Sequence, residues 1–105
     1  MQFQELIAIA KDIRKAYERF ERQRLGKEWS REQLAQDFVG DVGDLMKLLM
    51  AKEGLRNIED TNQKLRHEFA DCLWSILILA DKYDVDLEQS FVENMEKLKN
   101  HITQS

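Results

Sequence analysis

The sequence predicts an all-α chain, four helices packed as a bundle, and three observations carry that prediction. The 105 residues contain no proline and only four glycines, too little punctuation for the tight turns of an all-β fold. Apolar residues recur three and four apart along four successive stretches, the period of one helix face. Ser30 with Gln33, and Asp86 with Gln89, form helix-start patterns ahead of two of those stretches. The 43% hydrophobic content supports one modest core, so residues 1–105 are expected to form a single domain.

The first helix is predicted from Phe3, with Phe3, Leu6, Ala10, Ile13, Tyr17 and Phe20 as its apolar stripe and Lys11, Arg14, Glu18, Arg19 and Glu21 mainly on other faces. It should fade near Leu25-Gly26, where a glycine follows Arg22 and Arg24, cations suited to the negative helix end. A second helix opens at Ser30 and carries Leu34, Phe38, Val42, Leu45, Leu48 and Leu49 to about Lys52, before Gly54 and a polar connector, Arg56 to Thr61. Gly40 and Gly43 lie inside it. Each costs about 0.5–1 kcal/mol relative to alanine, which suggests a close approach by another backbone or a ligand, or simply a weaker stretch of helix.

The third helix should start near Asp60-Thr61 and run through Leu65, Phe69, Cys72, Leu73, Ile76, Leu79 and Ala80 to about Tyr83. From Leu73 to Ala80 it is apolar around nearly its whole circumference, more than one small bundle can cover. This predicts a subunit interface in a homodimer or homotetramer, with Trp74 and Ile78 turned away from the protomer's own core. Asp86 and Gln89 open the last helix, which carries Leu87, Phe91, Met95, Leu98 and Ile102.

Acids exceed bases by 20 to 16, a formal charge of −4, which argues against nucleic-acid and anionic-membrane partners. The longest mostly apolar stretch, Phe69 to Ala80, is interrupted by Asp71 and falls well short of the ~20 residues of a membrane span. No secretory signal is legible, so a cytoplasmic protein is expected. The lone Cys72 reads as a small buried side chain.

Two pairs of acids border the apolar stripes. Asp41 and Asp44 stand at i and i+3 on the second helix, and Glu68 and Asp71 at i and i+3 on the third. If these helices pack through their stripes, four carboxylates converge and require a cation; oxygen donors suit Mg²⁺, with Mn²⁺ as a second choice, and such sites borrow ligands from substrate phosphates. The same spacing also fits ordinary surface acids, solvated or paired with lysines, and does not by itself decide between the two. His67 and His101 lie far apart in sequence with no cysteine pair beside them. His67 projects about 100° away from Glu68 around the helix, which favours a surface or supporting role.

The stretches Gly40-Asp41-Val42-Gly43-Asp44-Leu45 and Glu68-Phe69-Ala70-Asp71-Cys72-Leu73-Trp74 resemble the E-x-x-E, spacer, E-x-x-D pattern of the MazG-like all-α nucleotide pyrophosphohydrolases, with aspartates in place of both glutamates of the first pair. The run Ala80 to Glu88 looks like that family's link into its last helix, and Asn94-Met95-Glu96-Lys97-Leu98 resembles the asparagine and lysine found there. The resemblance implies Mg²⁺ held by Asp41, Asp44, Glu68 and Asp71, and a nucleoside triphosphate split to the monophosphate and pyrophosphate. A carboxylate not fully engaged by the metal could take the attacking water's proton, with Glu68 or Asp44 as the candidates. The resemblance further implies that Asn94 and Lys97 reach the phosphate or sugar. Lys47, Lys52 and Arg56 could add positive charge, and Trp29 could stack on a base or instead staple the start of the second helix. Related readings are a phosphoribosyl-ATP or dUTP-type hydrolase, which shares the acids, and a helical interaction module whose acid site has decayed.

Overall fold

The computed structural model describes residues 1–104. Its four helices are α1 (Phe3–Leu25), α2 (Arg31–Lys52), α3 (Thr61–Lys82) and α4 (Leu87–Gln104), and the described residues contain no strand. The start and stop signals act as their chemistry requires. Gly26 takes a left-handed φ of 78° and donates its N–H to Arg22 O, closing α1. Ser30 Oγ accepts from Gln33 N at 3.1 Å while Gln33 Oε1 accepts from Ser30 N at 2.8 Å, a reciprocal cap on α2. Asp86 Oδ1 accepts from Gln89 N at 3.1 Å.

α3 is the central element, packed against α2 along much of its length and against α1 on another side. The buried core is small. Ala10, Leu77 and Ile78 form its centre, with Phe3, Ile7, Leu34, Trp74 and Leu87 packed around them, and Leu48 and Cys72 are also buried.

This corrects the expectation for Trp74 and Ile78. Ile78 is only 4% exposed, and Trp74 Nε1 donates to Ala10 O at 3.0 Å, so both face α1 of the same protomer. The side of α3 left open carries Phe69, Leu73 and Ile76 instead, spaced four and three apart. α1 is also rotated from the stripe expected for it. Its inward line runs Phe3, Ile7, Ala10, Arg14 and Glu21, while Ile13, Tyr17 and Phe20 are about half exposed. Two charged residues can occupy that line because they neutralise each other: Arg14 Nη1 and Nη2 donate to the two carboxylate oxygens of Glu21 at 2.8 and 2.6 Å. Lys82 donates to Glu18 at 3.0 Å, and Lys11 pairs with Asp81 at 3.3 Å, tying α1 to α3.

The bundle is open within one protomer. α4 is attached at its first turn, through Leu87 packed against the core and Gln4 donating to Glu88, and none of its residues is buried. Phe91, Val92, Met95, Leu98 and Ile102 are all exposed. The radius of gyration is 16.9 Å, against about 13 Å for a compact domain of this length. A side chain built at Gly40 or Gly43 meets no neighbouring atom within 4 Å, so no backbone of the same protomer makes the close approach those glycines suggested.

Candidate functional site

Packing α2 on α3 brings the acid pairs together. Asp41, Asp44 and Glu68 each offer an oxygen within 4.8 Å of the others, and Glu68 joins Asp71 and His67 in a second group of the same tightness. Glu68 belongs to both. His67 Nε2 lies 3.1 Å from Asp71 Oδ2, which places the histidine beside the acids on a solvent-facing position. Ser75 Oγ donates to Asp41 Oδ2 at 3.3 Å.

The electrostatics are those of carboxylates short of counter-charge. Burial, and then the charges of Asp71, Asp41 and Asp44, push the Glu68 pKa up, with His67 opposing. Burial, Asp37, Asp71 and Asp44 do the same to Asp41, while the Ser75 hydrogen bond opposes. Glu68 Oε2 is fully buried and has no hydrogen-bond partner among the described residues. A buried, unpaired carboxylate oxygen is costly unless something satisfies it. The Asp41, Asp44 and Glu68 group offers only oxygen donors, and with one such orphan it fits a hard divalent cation; His67 adds a nitrogen to the second group. Cys72, buried nearby, has its thiol pKa raised by burial and by Asp41, Glu68 and Asp71, so it is a poor nucleophile there.

Beside the acids opens a cavity of about 470 Å³, within the size range of small-molecule sites. Tyr17, Phe20, Trp29, Leu34, Trp74 and Ile78 supply its apolar lining, with the Tyr17 and Trp74 rings 5.7 Å apart. Ser75 lines the cavity and bonds Asp41, so cavity and acids share a boundary. Arg14 and Glu21 also contribute to the lining, and the Trp29 N–H donates to Glu21 Oε1 at 2.8 Å.

The other sequence-derived candidates are distributed as follows. Trp29 is in the cavity wall. Lys47 and Arg56 are exposed, and Lys52 Nζ donates to Asn62 Oδ1 at 2.5 Å. Asn94 and Lys97 are exposed on α4, and no hydrogen bond or ion pair among the described residues joins them to the acids. Sequence reasoning missed Asp37, another residue of the cavity lining. Its signal was available: Asp37, Asp41 and Asp44 stand at i, i+4 and i+7, one helix face. Tyr17, Arg14, Glu21 and Trp74 had no such signal, since their meeting depends on how α1 is rotated.

A family model, the MazG nucleotide pyrophosphohydrolase domain, matches residues 32–102. The chain belongs to the MazG family. The match spans α2, α3 and nearly all of α4, so both acid pairs lie within the MazG domain, whereas α1, which supplies part of the cavity wall, lies ahead of it. Comparisons with curated proteins and with solved structures gave no match. No described helix of this MazG protein is long and apolar enough to cross a membrane.

Proposed function

We propose that this MazG protein hydrolyses nucleoside triphosphates to the monophosphate and pyrophosphate with the help of Mg²⁺. The observation that carries the reading is the buried, unpartnered Glu68 Oε2, in a residue common to both acidic groups. Asp41, Asp44, Glu68 and Asp71 hold the ion, and Mn²⁺ suits the same oxygens. Bound there, the ion would supply charge neutralisation for the phosphates and Lewis acidity toward the attacking water.

The chain's own residues supply the rest. Ser75 fixes Asp41 by its hydrogen bond, and His67 restrains Asp71. Glu68 is assigned as acceptor of the proton of the water that attacks the α-phosphorus, through a carboxylate oxygen not engaged by the ion; Asp44 is the more exposed candidate for the same task. Trp29 and the other aromatic walls receive the base by stacking, and Lys47, one turn beyond Asp44, adds positive charge toward the phosphates. A panel of ribo-, deoxy- and modified triphosphates with Mg²⁺ or Mn²⁺ tests this. Pyrophosphate and monophosphate in equal amounts are expected from at least one substrate. Metal-independent turnover, or orthophosphate as the only inorganic product, contradicts the reading. Absence of turnover across the panel, with no metal-induced rise in Tm, favours the decayed interaction module.

The working unit is an assembly of copies of this chain. Exposed apolar residues of α4, and Phe69, Leu73 and Ile76 of α3, form more uncovered apolar surface than a stable protomer of this size leaves to water. A second copy covers it and gives Asn94 and Lys97 a route to a neighbour's carboxylates. Light scattering should give two or four times the protomer mass of 12.5 kDa. Phe91→Glu, which places a charge on the α4 face, should shift the protein to single protomers, and a wild type monomeric at micromolar concentration contradicts the assembly.

A further inference from the structure

The cavity beside the carboxylates contains two acids in different states. Both oxygens of Glu21 are taken by Arg14, and one also by the Trp29 N–H. Asp37 is exposed and has no hydrogen-bond or ion-pair partner among the described residues. It stands one turn before Asp41, close enough for its charge to help raise the Asp41 pKa. A nucleotide with its phosphates at Asp41 and Glu68 and its base between the aromatic walls therefore meets a free carboxylate in the cavity lining.

A carboxylate accepts hydrogen bonds and donates none. An exocyclic amino group satisfies it, whereas a carbonyl at the same position sets lone pairs against lone pairs and displaces water that would otherwise donate to the exposed acid. We propose that Asp37 is a specificity-determining residue that reads the exocyclic amino group of the base, so that amino-bearing bases such as cytosine are preferred over uracil and thymine. This rests on the reading of the acidic group as the triphosphate site. A hydrogen bond to a charged acceptor corresponds to a preference of roughly 10-fold or more.

The test pairs cytidine and uridine nucleotides, which share the sugar and differ in the base. The first arm measures kcat/KM for the two triphosphates with Mg²⁺, in wild type and Asp37→Asn. The second titrates the two monophosphates without metal by tryptophan fluorescence, which reports on this cavity because the chain's two tryptophans, Trp29 and Trp74, both line it. Wild type should favour the cytidine nucleotide about 10-fold or more in both arms. Asp37→Asn, whose amide both donates and accepts, should bring both ratios close to one, chiefly through KM. Equal use of the two bases by wild type, or an unchanged ratio in the variant, overturns the proposal. Equal loss of kcat on both substrates also overturns it, because Asp37 would then act on the acidic group. If no triphosphate is hydrolysed, a cytidine preference that disappears in Asp37→Asn upholds the base-reading role while the hydrolase reading fails.

Discussion

Glu68→Gln should lower kcat/KM for pyrophosphate release by on the order of 100-fold or more, while the metal-free protein remains as stable as wild type or becomes more stable. The two effects have one cause. Glu68 is the acid shared by both groups, and its Oε2 is buried without a partner. In the proposed site, replacing it with an amide removes a ligand of the ion and, in the ion's absence, a charge that its neighbours repel. Raised pKa values also fix the sign of the pH dependence. Between the ordinary and the raised values of Glu68 and Asp41 the folded protein binds more protons than the unfolded chain. Their contribution to metal-free stability is therefore largest at low pH and is lost as pH rises through the raised values. Mg²⁺ competes with those protons, so the rise in Tm on adding Mg²⁺ should shrink as pH falls from 7 toward the carboxylate range. Thermal melts across pH, with and without Mg²⁺, read both effects. In Glu68→Gln the metal-induced rise should be largely gone.

Glu21→Ala should cost on the order of 3 kcal/mol of stability, because it strips buried Arg14 of both short carboxylate hydrogen bonds and leaves only Glu18, 3.9 Å from Nε, to balance its charge. A domain of this size has only about 5–15 kcal/mol in total, and the loss corresponds to a fall in Tm of more than about 10 °C. Arg14 is 5% and Glu21 7% exposed, so water is a poor substitute for the missing partner. Removing both charges is a different matter. Arg14→Met with Glu21→Leu should recover most of the loss, since well-packed apolar replacements of a buried pair are often neutral or better. A double variant no more stable than Glu21→Ala would contradict this account of the pair. Burial alone pushes the Glu21 pKa up, but hydrogen bonds from Arg14 and the Trp29 N–H, and the charges of Arg14 and Lys82, outweigh it and leave the pKa lowered. Its stabilisation is present above the ordinary carboxylate range and lost as pH falls through the lowered value. Acid unfolding of wild type should show that loss, and the double variant should lack it.

The features legible in the sequence were those set by local chemistry. Gly26 after Leu25, the Ser30 and Gln33 box and Asp86 ahead of α4 act on the backbone within one turn, and the helices begin and end beside them. The acid pairs were legible because i and i+3 residues share a face whatever the helix packs against. What depended on rotation about a helix axis was not. α1 carries more apolar residues than one face holds, so periodicity selected Ile13 and Tyr17, whereas the pairing of Arg14 with Glu21 turns that face inward. On α3, apolar all round between Leu73 and Ala80, the pattern does not distinguish the side that meets α1, which is why Trp74 and Ile78 face inward against expectation. The cavity was invisible for the same reason: its wall joins α1, α2 and α3 at positions that no single-helix pattern relates.

The most direct measurement follows triphosphate hydrolysis with Mg²⁺ in oxygen-labelled water by phosphorus NMR. Attack at the α-phosphorus, supported by Asp41, Asp44, Glu68 and Asp71, predicts label in the nucleoside monophosphate, unlabelled pyrophosphate, and no reaction once the metal is chelated. Label in pyrophosphate or orthophosphate, or a rate unchanged by chelation, would contradict it.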